Sequence, residues 1–97
     1  MILEGVMMIE KWKTILALEE WTITTEAIER KSVVYEGGVP AWDRYFVGIQ
    51  PNHDTKIAVI YHDRDLTEED VVHELLHVAN PDWTEEQVNT QTDILLM

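Results

Sequence analysis

The ten residues Asp70 to Ala79, DVVHELLHVA, sort into two sets when wound as an α-helix. Advancing ~100° per residue places Asp70, His73, Glu74 and His77 on one arc and Val71, Val72, Leu75, Leu76, Val78 and Ala79 on the other. Such a helix must bury one face against a core and present the other, which carries titratable groups. Its start is marked by Thr67-Glu68-Glu69-Asp70, an N-cap hydroxyl followed by carboxylates at the positive helix end. Its stop is marked by Pro81, which disfavours helix at Asn80.

The polar arc reads H-E-x-x-H. Positions i and i+4 stack one above the other on a helix, so the His73 and His77 imidazoles can reach a single ion. Glu74, directly after the first histidine, is placed to hold a water as general base. The plain alternative is two solvent-facing histidines on a surface helix. The next stretch speaks against it. Thr84 with Gln87 three residues on forms a capping box, so a further helix begins at Glu85. A tight turn between the two helices brings the second one's first turn back toward the first, where Glu85 or Glu86 can supply a third metal ligand and leave a fourth position for water.

These residues resemble the gluzincin metallopeptidases, in which the two histidines of H-E-x-x-H and a glutamate from a following "glutamate helix" bind zinc. The short spacer is most similar to that of the minimal forms, the minigluzincins. Glu85-Glu86-Gln87-Val88-Asn89 fits the family's pattern of a ligand glutamate followed four residues later by Asp or Asn, with Val88 larger than the usual small residue between them. The resemblance therefore implies Glu85 as ligand and Asn89 as a residue supporting it from behind, whereas Glu86 would put Thr90 in the acidic position. It further implies zinc as the metal, a peptide or protein as substrate, an edge strand at Tyr45–Ile49 lining the cleft, and a latent form in which the chain's own terminal segment covers the site. The tail residues Leu96 and Met97 are the favoured cover, and Met1 to Leu3 the other candidate. The motifs span residues 67–97; upstream the likeness is one of element order.

At 97 residues the chain has length for one domain and a single core. Without cysteine it has no disulfide, thiolate metal site or cysteine nucleophile. A formal charge of −12 repels nucleic acid phosphates and anionic membranes. The start Met1-Ile2-Leu3-Glu4 has neither a basic region nor a long apolar run, so the expectation is a cytoplasmic protein without signal peptide or membrane span.

Upstream of the motif, Met8, Ile9, Trp12, Ile15, Leu16 and Glu19 recur at helical spacing and predict an amphipathic helix over Val6–Glu20, the counterpart of the zincin backing helix. Four strand candidates follow: Trp21–Thr25, Ser32–Tyr35, Arg44–Gln50 and Lys56–Tyr61. Pro40 reads as loop. Gly48 and polar ends give the third candidate the character of an edge, and the apolar fourth that of an interior strand buried on both faces. The expected fold is α+β: a minimal zincin-like domain with a backing helix, a small mostly antiparallel or mixed four-stranded sheet, an active-site helix and a C-terminal glutamate helix. His53 and His62 fall in loops, where solvation is the simplest reading. Tyr35, Tyr45 and Tyr61 are equal candidates for a hydrogen-bond donor to a transition state.

The expected function is zinc-dependent peptide-bond hydrolysis with His73, His77 and Glu85 as ligands and Glu74 as base. The alternative is a zinc-binding sensor or protein-interaction domain without turnover, against which stands Glu74, for which a purely structural zinc site has no use.

Overall fold

A computed structural model describes residues 2–28, 34–35, 39–40 and 47–97, with side chains over 6–28 and 47–97. In chain order the elements are α1 (Ile2–Ile15), β1 (Thr22–Ala27), β2 (Val34–Tyr35), β3 (Val39–Pro40), β4 (Val47–Asn52), β5 (Ile57–His62), α2 (Glu68–Ala79) and α3 (Glu85–Leu95). The fold is α+β, with three helices and a three-stranded mixed sheet of order β1-β5-β4 among the described residues. None of these helices is long and apolar enough to cross a membrane.

The sheet is built on β5, which pairs parallel with β1 and antiparallel with β4. As the sequence suggests, the 56–61 run is interior and its hairpin partner lies at an edge. Three strands stand where four were expected. The Ser32–Tyr35 candidate supplies Val34–Tyr35 to a separate antiparallel pair with Val39–Pro40, so Pro40 belongs to a short strand and not to a loop. Residues 44–46 of the third candidate lie outside the described residues. β5 is also less enclosed than its composition implies. Ala58 and Ile60 are fully buried, but Val59 and Tyr61 are half-buried and Ile57 is exposed, so only one face of the strand is closed.

Period-two alternation aims that closed face at α2. Ile23 of β1 stands beside Ala58 in register, and the pair continues the apolar surface across the sheet. Val71, Val72, Leu75, Leu76 and Val78 of α2 pack on it, joined by Ile9 and Trp12 of α1 and Val88 of α3. Every apolar residue assigned to the buried arc of α2 is buried except Ala79, which is half-buried.

The predicted first helix runs to Glu20, but α1 stops at Ile15. The chain leaves it through a Schellman closure, in which Leu18 N–H donates to Lys13 O at 2.7 Å and Ala17 N–H to Thr14 O at 3.3 Å. Ala17 takes the left-handed position at φ 58°, where glycine is the usual occupant. Burial of Leu18 under the turn holds the closure in place of glycine's freedom. Ala17→Gly is accordingly expected to stabilise the protein by roughly 0.5–1 kcal/mol, read as a higher urea midpoint at unchanged slope.

Candidate metal centre

Both ends of α2 and the start of α3 are fixed by the side chains that the sequence nominates. Thr67 caps α2, accepting from the Asp70 N–H at 3.2 Å while the Asp70 carboxylate accepts from the Thr67 N–H at 2.9 Å. The same carboxylate takes a bidentate bond from Arg64, with Nη1–Oδ2 at 2.5 Å and Nη2–Oδ1 at 2.8 Å. Desolvation raises the pKa of Asp70, but the Arg64 bond and the cap outweigh it and hold the carboxyl below its ordinary value. Asp70 thus serves the helix start, although it shares the polar arc with the histidines. From α1, Lys11 Nζ and Trp12 Nε1 each donate to Glu68 Oε2 at 2.8 Å, which ties the first turn of α2 to α1. Those two bonds, Lys11's the larger, lower the Glu68 pKa.

At its far end α2 closes on Asn80, whose N–H donates to Leu76 O at 2.9 Å. The chain reverses through a turn in which Trp83 N–H donates to Asn80 O at 3.0 Å. Thr84 and Gln87 then form the expected capping box, with bonds of 2.8 and 3.2 Å. Val88 and Thr92 anchor α3 in the core, and the first residue of α3 is returned to the polar face of α2.

That residue is Glu85. Its Oε2 lies 3.3 Å from His73 Nε2, and its Oε1 pairs with His77 Nε2. The imidazole centroids are 5.0 Å apart with the rings at 68°, as the i, i+4 spacing requires. One donor atom from each of His73, His77 and Glu85 can be chosen so that all lie within 4.8 Å of one another. Glu86 is exposed and makes no such contact. Asn89 is also exposed and forms no side-chain hydrogen bond among the described residues, so the supporting role implied for it has no counterpart here.

Glu74 stands apart in its environment. It is 6% exposed, with Oε1 3.9 Å from His73 Nε2. Burial first, then the negative charges of Glu85 and Asp70, push its pKa up to about 8. A carboxyl driven this far toward neutrality marks a place where negative charge lacks a positive partner. A divalent cation held by two imidazole nitrogens and a carboxylate would supply one, and the donor set suits zinc. The residues present fit the ion.

In front of these groups lies a cleft of about 460 Å³. His73, Glu74, His77 and Glu85 line it from the helices and Val47, Gly48, Ile49 and Pro51 from β4, together with Pro81 and His53. The edge strand expected from the resemblance therefore faces the site over Val47–Ile49; Tyr45 lies outside the described residues. Leu96 packs on the core and Met97 is exposed, and neither lines the cleft. Of the three tyrosines, the Tyr61 hydroxyl donates to Gln50 Oε1 at 3.3 Å and does not line the cleft, and the side chains of Tyr35 and Tyr45 lie outside the described residues. His62 closes β5, its Nδ1 2.8 Å from Arg64 O. His53 is the cleft residue that sequence reasoning passed over. A lone histidine in a polar turn carries no periodic signal, and its partner is a main-chain carbonyl 25 positions away.

No family model, curated protein or solved structure matches the chain.

The placement of Glu85 gives a direct test of register. Glu85→Ala should weaken zinc affinity by more than a hundredfold, beyond the ~10–100-fold that outer partners of a metal site typically contribute. Glu86→Ala should change it little, touching only the helix N-terminus. Equal losses in the two variants, measured by competition with a chromogenic chelator, would show the register to be wrong.

Proposed function

We propose that this chain is a zinc-dependent peptide hydrolase of gluzincin type, resembling the minigluzincins and built on a minimal zincin-like arrangement. The observation that carries the reading is the convergence of His73, His77 and Glu85 beside the buried carboxyl of Glu74, on the floor of a cleft walled by an edge strand. His73 and His77 offer imidazole nitrogens from consecutive turns of one helix, and Glu85 adds a carboxylate from the next. Three protein ligands leave a position open to water or substrate, as a hydrolytic site requires. Zinc, when bound, supplies a Lewis acid that polarises water and the scissile carbonyl.

The remaining chemistry falls to Glu74. As a carboxylate it takes a proton from the attacking water while the water oxygen bonds to the carbonyl carbon. It then hands that proton to the amide nitrogen as the C–N bond breaks, which leaves a carboxylic acid and an amine. Its burial beside the ligand residues fixes the carboxyl where it can both take the proton and pass it on. On the opposite wall, β4 offers main-chain groups at an edge, which favours an extended peptide aligned by strand pairing with little side-chain selectivity. The −12 charge favours peptides over nucleic acid as partners. Latency through the tail would require residues 96–97 to move over the cleft, since Leu96 rests on the core; the side chains of Met1 to Leu3, the other candidate cover, lie outside the described residues.

The second reading is a zinc-binding sensor or protein-interaction domain without turnover. The two readings separate when tag-free protein is loaded with one equivalent of zinc, incubated with a peptide library, and the products read by mass spectrometry. Cleavage that stops with a chelator and returns with zinc supports hydrolysis. Stable zinc binding with an intact library supports the domain without turnover.

A further inference from the structure

His53 stands at the tip of the β4–β5 hairpin and makes contacts that nothing in the mechanism above uses. Its Nε2 lies 3.2 Å from the carbonyl oxygen of Val78. A carbonyl only accepts, so Nε2 carries the hydrogen and donates it. Val78 is the residue after His77, in the last turn of α2. The imidazole also meets Trp21 edge to face, with centroids 5.0 Å apart at 82°. The turn that holds His53 is itself constrained. Asn52 Oδ1 accepts from the N–H groups of Asp54 at 3.0 Å and Thr55 at 3.2 Å, Lys56 N–H donates to Asn52 O at 2.8 Å, and Lys56 takes the left-handed conformation at φ 56°. From the sheet side, Thr22 N–H donates to Lys56 O at 2.9 Å. A rigid turn thus delivers one donor to the end of the helix that bears the metal ligands, and His53 itself lines the cleft.

The geometry points to His53 as a positioning residue of the cleft: its bond to the Val78 carbonyl ties the β4–β5 hairpin to α2 beside His77, and so fixes the gap between the edge strand and the histidine face. The opposing walls of the cleft, β4 and α2, belong to separate elements, and the Thr22–Lys56 bond holds the hairpin end to β1 and not to α2. The His53 bond joins that end to α2. The inference rests on the peptidase reading for its kinetic consequence, because a peptide aligned on β4 is presented to Glu74 only while this gap is kept. It predicts an effect on peptide capture and none on the metal.

Two substitutions divide the contacts of His53 between them. His53→Phe keeps a ring against Trp21 and loses the donor, whereas His53→Gln gives up the ring and keeps an amide nitrogen near the place of Nε2. With the full chain loaded with zinc, His53→Phe should raise KM for an extended peptide about tenfold, the worth of one hydrogen bond, at unchanged kcat and zinc affinity. His53→Gln should restore the parent KM. Amide exchange over residues 47–52, which needs no turnover, should quicken about tenfold in His53→Phe and return to the parent rate in His53→Gln. A His53→Phe protein with parental KM and exchange overturns the inference. So does equal impairment of both variants, which would assign the effect to the ring on Trp21. If the parent cleaves nothing, the peptidase reading fails on that count, and the exchange comparison still decides whether the tie exists.

Discussion

Glu74→Gln should lower kcat/KM for peptide cleavage by about 10²–10⁴-fold, the usual contribution of a positioned general base, while the protein keeps its zinc. The amide preserves the volume of the carboxyl but cannot take a proton from water. Its effect on the metal-free protein has the opposite sign. The Glu74 carboxyl has a folded-state pKa of about 8 against an ordinary value of 4.5. Below pH 4.5 it is protonated both folded and unfolded, and its burial carries no charge penalty. As pH rises through that window, the unfolded chain gives up the proton before the folded one does, so stability falls until the folded group also ionises near pH 8. The loss is on the order of 3–5 kcal/mol for a displacement of that size. The glutamine variant does not titrate there. Urea unfolding of the two metal-free proteins should therefore agree best near pH 4.5 and diverge toward pH 8.5, with Glu74→Gln the more stable. Parallel curves across this range would mean that Glu74 is not held as the structure places it. Parental turnover by zinc-loaded Glu74→Gln would remove the residue from the chemistry.

The second large effect concerns the histidines. Zinc at 100 times its Kd should stabilise the parent by about 2.7 kcal/mol, which for a domain of this size raises Tm by roughly 10–20 °C. His73→Ala and His77→Ala should each abolish that shift while leaving a folded protein, because both rings are only half-buried and the packing of α2 is made by the other face. His53→Ala and His62→Ala, whose rings bond to the carbonyls of Val78 and Arg64, should keep the shift. Thermal melting with and without zinc distinguishes the pairs. A zinc-induced shift that survives His77→Ala would place the ion elsewhere on this acidic surface.

The site was legible in the sequence to the extent that it is local. His73, Glu74 and His77 are placed by helical spacing alone, and the limits of α2 and α3 by Thr67, Pro81 and Thr84, each acting within four residues. Glu85 was separated from Glu86 only by the gluzincin pattern, and the turn at Asn80–Trp83 brings the same residue to the imidazoles. Asn89, assigned by the same pattern, is exposed on α3, so the motif's letters carried further than its hydrogen bonds. The sheet was legible in its order of exposure but not in its strand count. Ser32–Tyr35 has the composition of a strand, yet partner choice is a long-range matter, and Val34–Tyr35 pairs with a nearby proline-bearing segment. The end of α1 escaped for another reason: the helical spacing of the sequence runs on past Ile15 to Leu16, while Ala17 closes the helix in a conformation its own residue type disfavours. His53 escaped because its partner is a backbone carbonyl, which has no letter in the sequence.

The central claim is that two imidazoles and the Glu85 carboxylate hold one zinc ion. A crystal of tag-free, zinc-loaded protein measured on both sides of the zinc absorption edge tests it most directly. The account predicts one strong anomalous peak about 2.0–2.1 Å from Nε2 of His73 and of His77 and about 2.0–2.2 Å from a carboxylate oxygen of Glu85, with the Glu74 carboxyl beside it and not bonded to it. A peak coordinated by other carboxylates, or no peak at these three residues when zinc is present in excess, would contradict it.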